Sequence, residues 1–446
     1  MLTGRVALIS SLAFACLLAP GCEQSESVIE LKLYEGEEGA EVARTIRGSY
    51  ETRFEELDRN SQAHFAVRMY RASGATPDLR AVALDVARWI GDLEQRLDGL
   101  DDEGFIEQQG GIMHARKREV SKVSRARKAM FASRAEMLFH RRVLYIAHKL
   151  HDYGLHRGRF REAYETARRH LRSADFAGFL LDREVIRTYA AQTSNLVFWL
   201  KRIGVVDLEN QYTRAYQDVF MNADDGQLDA ADYQNKLYGL THFIIGDSHY
   251  YQRTVSAEKH AWILEYFDRH ILEILSWSKP DIIAEIALCF RLCGKHDHRV
   301  VRMAEEYLVQ AFDPSLGYIP SGTGEIDFNM AEHRNAVAYL VLADWENLYE
   351  GPHLDDAAVQ AFVPIDVAAP VEDSRLPIGG DPVPELAAFD RAMTAYMEAN
   401  DISAGLLGVM KDGKIILERS YGWKDAGRTE PLEPDAVMRI ASVTKP

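Results

Sequence analysis

Residues 282–293 of the chain, Ile-Ile-Ala-Glu-Ile-Ala-Leu-Cys-Phe-Arg-Leu-Cys, are apolar at nearly every position. Two other runs have the same character, Leu237–Ile245 and Ala336–Leu342. A helix that is apolar on all sides must be buried on all sides. Residues 258–277 differ, because their large apolar side chains recur at helical spacing and predict a single buried face; they are Ile263, Phe267, Ile271, Ile274 and Leu275.

This alternation of fully buried and half-buried helices extends over residues 28–349, which contain few glycines or prolines. It predicts a mainly α fold with two concentric layers of helices, as in an α/α-toroid. A simple helical bundle is the alternative. The stretch Ser278-Lys279-Pro280-Asp281 predicts a helix start, with Ser278 as the capping residue and Pro280 in the first turn.

The first residues have the pattern of an export signal. Arg5 precedes an uncharged apolar run, Val6–Ala19, which is short for a membrane span and suits a signal peptide. The following Pro20-Gly21-Cys22 resembles a lipobox, in which cleavage before the cysteine exposes Cys22 for lipidation. A plain secretory signal is the alternative. We expect residues 1–21 to be a lipoprotein signal peptide and residues 22–49 a tether with the first helix.

The expected location is therefore the cell envelope, with a lipid anchor in a membrane. In a Gram-negative bacterium this is the periplasm, and the absence of Asp after Cys22 favours the outer membrane.

Composition excludes several classes of function. The formal net charge of −16 over 446 residues argues against a general nucleic-acid partner, which needs a basic face. No nucleotide loop, flavin motif or zinc signature occurs, so we expect no cofactor. Cys289 and Cys293 are four residues apart in a helical pattern, which strains a disulfide and favours two buried free thiols.

A change of composition marks the end of the helical region. We expect a helical domain over residues 50–350, followed by a proline-rich linker over residues 351–383. A different fold begins at residue 384, with a helix over 384–400. Strands are predicted over 405–410 and 414–421, because Lys411-Asp412-Gly413 between them is a hairpin signal.

The last eight residues, Arg-Ile-Ala-Ser-Val-Thr-Lys-Pro, contain a Ser-x-x-Lys motif at Ser442 and Lys445. The motif is weak alone, but here it follows a helix, a hairpin and an aromatic-glycine step, Tyr421-Gly422. The series resembles the β-lactamase-related serine hydrolases, which include class C β-lactamases, penicillin-binding peptidases and esterases. The resemblance implies that Ser442 is an acylated nucleophile, that Lys445 activates it, and that β-lactams, peptides or esters are the substrates.

The later Tyr-x-Asn and Lys/His-x-Gly elements of that family do not occur before Pro446. Residues 384–446 thus correspond to the truncated start of an α+β serine hydrolase domain. We expect these 446 residues by themselves to be inactive toward β-lactams and esters, because an acyl-transfer site without its oxyanion hole loses much of its rate.

The helical region resembles an uncharacterised helical domain family of bacterial exported proteins. Polar residues within its apolar helices suggest a shared pocket, since burying them is costly unless they are paired or used; the candidates are His242, Asp247, His249, Glu285, Glu332 and His333. Carboxylate pairs suggest glycan chemistry. Clusters of histidine and carboxylate also suit a metal, but no metal ligands are assigned. Each residue alone could equally be a satisfied core residue.

Two functions remain open from the sequence. In the first, the protein is a lipid-anchored serine hydrolase whose helical domain presents cell-wall or glycan material. In the second, it is a non-enzymatic envelope lipoprotein whose helical domain binds a glycan or another ligand.

Overall fold

A computed structural model describes residues 36–75, 79–222, 225–321, 326–345, 347–363, 376–399, 402–411, 414–425 and 427–436. The chain divides into two compact units. Within the described ranges, the helical unit comprises residues up to 85 together with 93–354. The second unit comprises residues 86–92 and those from 355 onward.

The described residues are mainly helical, which confirms the predicted class. The α-helices of the first part of the chain are α1 Gly36–Thr52, α2 Arg59–Ser73, α3 Leu79–Asp98, α4 Phe105–Ala115, α5 Lys122–Phe131, α6 Glu136–Asp152, α7 Arg161–Leu171, α8 Phe176–Leu180 and α9 Arg183–Arg202. They are followed by α10 Glu209–Phe220, α11 Ala230–Asp247, α12 Ala261–Trp277, α13 Pro280–Leu292, α14 Arg299–Ala311, α15 Phe328–Leu342, α16 Asp356–Gln360 and α17 Ala387–Ala399. Short 3₁₀ turns occur at Phe54–Glu56, Leu155–Arg157, Asp225–Gln227 and Pro384–Leu386.

Helices of two kinds occur, as the apolar patterns predict. Every residue of α13 from Ile282 to Leu292 is buried, and so is every residue of α15 from Asn335 to Leu342. By contrast, α14 buries only one face, and α12 likewise buries a stripe that includes Ile263, Phe267 and Ile271. The burial of each helix therefore follows the period of its apolar residues.

Six of the more buried helices are neighbours in the order α2, α15, α13, α11, α9 and α6. An ion pair between Arg71 and Asp152 then joins α6 to α2. Outside this series, α1 packs on α15, α10 packs on α9, and α7 packs on α6. The α/α-toroid itself stays a prediction. Among the helices that the structure describes, none is both long enough and apolar enough to cross a membrane.

Helix starts are fixed mainly by aspartate caps. Asp58, Asp229 and Asp327 accept backbone N–H groups in the first turns of α2, α11 and α15. The predicted capping role of Ser278 is wrong: the residue that precedes α13 is Lys279, and it makes no side-chain cap. Pro280 occupies the first turn, where its fixed φ suits the helix and its missing N–H needs no partner.

Cys289 and Cys293 are free and buried, as their spacing predicts. The Cys289 thiol donates to the Thr241 carbonyl oxygen across 3.6 Å. This contact joins the interiors of α13 and α11, so that Cys289 acts as a small packing residue with a weak donor.

The first residues of the predicted linker pack on the helical unit. The Gly351 N–H donates to Gln252, and the Leu354 N–H donates to the Tyr153 carbonyl oxygen. The predicted domain and linker boundaries otherwise stay predictions.

The second unit contains a small antiparallel sheet in the order β1 Ile378–Gly379, β3 Lys414–Gly422 and β2 Ala404–Lys411. The strands β2 and β3 form the predicted hairpin, with Ala404 opposite Gly422 and Lys411 opposite Lys414. Preceding the hairpin, α17 matches most of the helix predicted over 384–400. The two-residue strand β1 was not predicted, because it lies inside the proline-rich stretch.

Candidate functional site

Three of the residues predicted from motifs lie outside the described residues. They are the lipidation candidate Cys22, the nucleophile candidate Ser442 and its partner Lys445. Their roles stay predictions.

In the helical unit, the structure brings together four of the six predicted pocket residues. His242 lies on α11, Glu285 on α13, and the consecutive Glu332 and His333 on α15. His333 Nε2 lies 3.4 Å from Glu285 Oε1, and His242 Nε2 lies 3.9 Å from the same oxygen. The three neighbouring helices thus present these side chains to a common place.

Two residues that sequence reasoning missed extend this group on either side. His64 of α2 contacts the Glu332 carboxyl through Nδ1, at 2.8 Å to Oε1 and 2.7 Å to Oε2. Its Nε2 lies 3.4 Å from His333 Nδ1. On the other side, His242 Nδ1 lies 2.7 Å from the Asn195 amide oxygen on α9.

These contacts form a continuous series, which we call the histidine–glutamate chain: Asn195, His242, Glu285, His333, His64 and Glu332. Five neighbouring helices, α9, α11, α13, α15 and α2, each contribute to it. The Thr241 hydroxyl supports the series by donating to Glu285 Oε2 across 2.7 Å.

Burial differs along the chain. The side chains of Glu285 and Glu332 are only 2% and 4% exposed, whereas His333 is 44% exposed and His64 is 28% exposed. The imidazoles are therefore the groups that an incoming molecule can touch, and the carboxyl groups lie behind them. A histidine oriented by a buried carboxyl group is a common arrangement for acid–base work.

The two carboxyl groups differ in charge. Burial raises the pKa of Glu332 to about 7. Burial alone would also raise the pKa of Glu285, but its hydrogen bonds from His333 and Thr241 and the charge of His242 lower that pKa overall. Near neutral pH, Glu285 is therefore ionised while Glu332 is largely protonated.

The ring of His64 is neutral in this setting. Burial is the largest cause that holds its pKa well below the ordinary value of 6.5, and the charges of Arg68, His333, Lys149 and Arg71 act in the same direction. The contact between His64 and Glu332 is therefore a neutral hydrogen bond with its proton on the carboxyl group, rather than an ion pair.

The other two predicted pocket residues make different contacts. Asp247 receives hydrogen bonds from Lys259 at 2.7 Å and from Arg253 at 3.0 Å, and it contacts His260 Nε2 at 2.9 Å. His249 contacts the guanidinium of Arg202. The helix α11 ends at Asp247, so that Asp247 and His249 do not share the interior face that His242 occupies.

The turn after α11 is strained and lies beside a buried charge network. His249, Tyr250 and Tyr251 all have left-handed backbones, with φ of 55°, 59° and 71°. Such conformations are costly for residues with a side chain and cluster at functional sites. Arg71 donates to the Tyr250 carbonyl oxygen across 2.8 Å and thereby holds the turn.

Three aromatic residues next to this turn carry polar atoms without partners. The ring of His148 stacks on Trp199 at 5.0 Å, and Tyr250 lies 6.1 Å from Trp199. Within the part of the chain that the structure describes, His148 Nδ1, Trp199 Nε1 and the Tyr250 hydroxyl are buried and make no hydrogen bond. Buried polar groups without partners commonly mark a site for a ligand or an ordered water.

The described residues contain no group of three or more His, Cys, Asp or Glu that could hold a metal ion. The contacts of 3.4 Å to 3.9 Å between histidine and carboxylate in the histidine–glutamate chain are those of hydrogen-bonding groups.

In the second unit, one carboxylate links the helix to the hairpin. Asp390 of α17 accepts from Arg419 Nε at 2.9 Å and Nη2 at 3.2 Å, and from the Tyr421 hydroxyl at 2.7 Å. Because Arg419 and Tyr421 lie on β3, the carboxylate fixes α17 against the sheet.

Comparison with known families divides the chain at the same place. A family model described as "Domain of unknown function (DUF3541)" matches residues 39–369, and one described as "Beta-lactamase" matches residues 389–446. The second match supports the predicted β-lactamase-like serine hydrolase region.

Curated relatives match the second unit. Three proteins named D-aminopeptidase, from strains of Cereibacter sphaeroides, are each 34% identical over 61 residues. This stretch is 14% of the present chain, and it spans only 12% of the length of each relative. No solved structure matches the chain.

Proposed function

This chain belongs to the family of proteins with the DUF3541 domain of unknown function, and on that premise we propose that it is an exported, lipid-anchored envelope protein with two functional parts. One is a serine hydrolase region in which Ser442 is acylated with the help of Lys445. The other is the helical unit, which binds a glycan.

The observation that carries the hydrolase proposal is the helix–hairpin frame joined by Asp390, in a segment that matches the β-lactamase family. The motif supplies the chemistry. In a helix, a lysine three residues after a serine lies beside it. Lys445 accepts the Ser442 hydroxyl proton, the serine oxygen bonds to the substrate carbonyl carbon, and the leaving group departs with a proton. Water then hydrolyses the acyl-serine ester.

The test uses protein produced from its native gene. A fluorescent penicillin and a fluorophosphonate are applied, and the labelled residue is located by mass spectrometry. Labelling of Ser442 that Ser442→Ala abolishes supports the proposal, while absence of label with both probes contradicts it. The names of the relatives make peptides with a D-residue at the amino terminus the first natural substrates to assay.

The anchor has its own test. Cells fed a labelled palmitate should mark the protein, and Cys22→Ala should remove the label. Label that persists in the variant contradicts lipidation at Cys22.

The helical unit supports the second part through the histidine–glutamate chain, because five helices bring polar groups to one place beside the aromatic residues His148, Trp199 and Tyr250. Aromatic faces together with a few convergent polar groups are typical of small-molecule sites. We expect chitotetraose or a peptidoglycan disaccharide to bind in calorimetric titrations, and His333→Ala to weaken that binding. A matched change at His270, which lies on α12 beside Glu273, should have no effect.

A further inference from the structure

The hydrogen bonds along the histidine–glutamate chain have a single direction. Glu285 is ionised and can only accept, so that His333 must donate to it through Nε2. With neutral rings, His333 Nδ1 is then an acceptor, and His64 must donate to it through Nε2 across 3.4 Å. His64 Nδ1 therefore accepts from Glu332, which has to be protonated.

This requirement agrees with the environment of Glu332. Its carboxyl group is buried, and that burial keeps it protonated close to neutral pH. Three contacts of 2.8 Å, 3.4 Å and 3.4 Å thus connect a protonated carboxyl group to an ionised one through two imidazoles. Each imidazole has one nitrogen toward each neighbour, which is the arrangement that passes protons.

Two cations lie next to this series without a carboxylate of their own. Arg68 donates to the His64 carbonyl oxygen across 3.2 Å, one turn along α2, and its buried Nε has no hydrogen-bond partner among the described residues. Lys149 of α6 donates to the Tyr153 hydroxyl at 3.2 Å. Neither forms an ion pair in the described ranges.

The nearby carboxylate, Asp152, is already engaged by Arg71 at 2.7 Å and by Arg202 at 3.3 Å. With Glu332 protonated, the positive charge of Arg68 and Lys149 has no local counterpart. Partly buried cations without a partner favour an anionic ligand.

We propose that the helical unit contains a second reaction centre, independent of Ser442, in which His64 and His333 pass a proton between Glu332 and Glu285 while a carboxylate-bearing saccharide lies against Arg68 and Lys149. The saccharide part of this inference rests on the proposed glycan function. The carboxylate and the proton transfer go beyond it.

The proton transfer is balanced within the protein. Glu332 gives its proton to His64 Nδ1, His64 gives the Nε2 proton to His333 Nδ1, and His333 gives its Nε2 proton to Glu285. Three bonds to hydrogen break and three form, and one proton moves from Glu332 to Glu285. His333 is the exposed member that touches the substrate, and the other three groups restore its protonation after each exchange.

The first arm of the test follows imidazole tautomers by nitrogen NMR in the full chain, with signals assigned from His64→Asn and His333→Asn. As the pH rises through about 7, Glu332 ionises. The proton of His64 should then move from Nε2 to Nδ1, where the new carboxylate accepts it. Glu332→Gln keeps a permanent donor at this place and should hold His64 in the Nε2–H form at every pH. An unchanged tautomer in the native protein, or the same transition in Glu332→Gln, overturns the relay.

The second arm tests the ligand class with tetragalacturonate and its methyl ester, which differ in charge but share the ring. The acid should bind by calorimetry, while the ester, Arg68→Met and Lys149→Met should each weaken binding about tenfold. Arg161→Met, an exposed arginine of α7, is the matched control. Thermal unfolding of each variant verifies the fold.

The outcomes separate the two proposals. Equal binding of acid and ester, or unchanged binding in both cation variants, overturns the anionic-substrate inference and leaves glycan binding standing. Binding of neutral saccharides alone has the same meaning. If none of the saccharides binds, both the glycan function and the ligand class inferred from it are wrong.

Discussion

Arg71 of α2 donates to Asp152 of α6 across 2.7 Å, and the two side chains are only 4% and 2% exposed. The remaining donors of Arg71 go to the carbonyl oxygens of Tyr250 and Gly351. A single guanidinium thereby joins two buried helices, the strained turn after α11 and the chain segment that leaves the helical unit.

The first prediction concerns this pair. Asp152→Asn should lower the free energy of unfolding by roughly 3–5 kcal/mol, because it leaves a buried guanidinium without its counter-ion. Glu51→Gln, which removes the exposed partner of Arg47 on α1, should cost less than about 1 kcal/mol. Urea unfolding followed by circular dichroism makes the comparison. Equal losses in the two variants would show that the buried pair adds nothing special.

Acid should reveal the same pair. Although burial alone would raise the pKa of Asp152, the charge of Arg71 and the neighbouring cations lower it below its ordinary value of 3.8. A depressed folded-state pKa stabilises the protein above that ordinary value, and the contribution is lost as the pH falls below it. Asp152→Asn should therefore unfold with a weaker dependence on pH between 4 and 2 than the native protein.

The second prediction tests the close packing of α11 on α9 and α10. A Cβ atom at Gly239 would lie 2.4 Å from the Tyr216 hydroxyl oxygen and 2.9 Å from the Ala190 Cβ. Gly239→Ala should therefore destabilise the protein by roughly 1–3 kcal/mol. Gly48→Ala is the matched change, since nothing lies within 4 Å of its Cβ position in α1. It should stabilise by about 0.5–1 kcal/mol through helix propensity. A stabilising Gly239→Ala would contradict this helix contact.

The third prediction concerns the second unit. Asp390→Asn should weaken the attachment of α17 to β3, because the Arg419 guanidinium is 7% exposed and loses its carboxylate. Amide hydrogens of β2 and β3 should exchange about tenfold faster, since a two-stranded hairpin is marginal without packing. Asp381→Asn, an exposed change nearby in sequence, is the control. Unchanged exchange in Asp390→Asn would remove Asp390 from the frame of the hydrolase region.

The elements of the fold were predictable where the signal is local. The run at 282–293 predicts a buried helix because its period alone determines which faces need covering, and α13 is buried throughout. The Asp412-Gly413 signal similarly predicts the hairpin of β2 and β3. The link from α6 back to α2 was not predictable in this way. It depends on Arg71 and Asp152, which are 81 positions apart and carry charges that apolar patterns do not register.

The candidate site shows the same division. Polar residues inside apolar runs indicated His242, Glu285, Glu332 and His333, which lie together. His64 was missed because it meets Glu332 across 268 positions of sequence. A local signal did exist: His64, Arg68 and Arg71 follow one another at intervals of four and three, a polar stripe on an otherwise buried helix. Asp247 and His249 were grouped with His242 by sequence proximity, although α11 ends between them.

The last prediction is the effect of Glu332 on stability as the pH rises. Burial raises its pKa in the folded protein from 4.5 to about 7. The folded state therefore holds a proton that the unfolded state has lost between these values. The resulting stabilisation is complete below the ordinary value of 4.5 and is lost as the pH rises through about 7. A shift of this size corresponds to roughly 3 kcal/mol.

Other titratable or charged groups face Glu332 and contribute their own slopes, so that the comparison has to be made between matched proteins. Those groups are His64, Arg68, Arg71, Lys149, Asp58, His242, Glu285 and His333. Glu332→Gln retains the shape and the donor of the protonated side chain and cannot ionise. The difference in unfolding free energy between native protein and Glu332→Gln should therefore change by about 3 kcal/mol from pH 4.5 to pH 8, with the native protein losing the more. Parallel curves over this range would mean that Glu332 is ionised in the folded state, and the direction of the hydrogen bonds through His64 would then be the reverse of that inferred above.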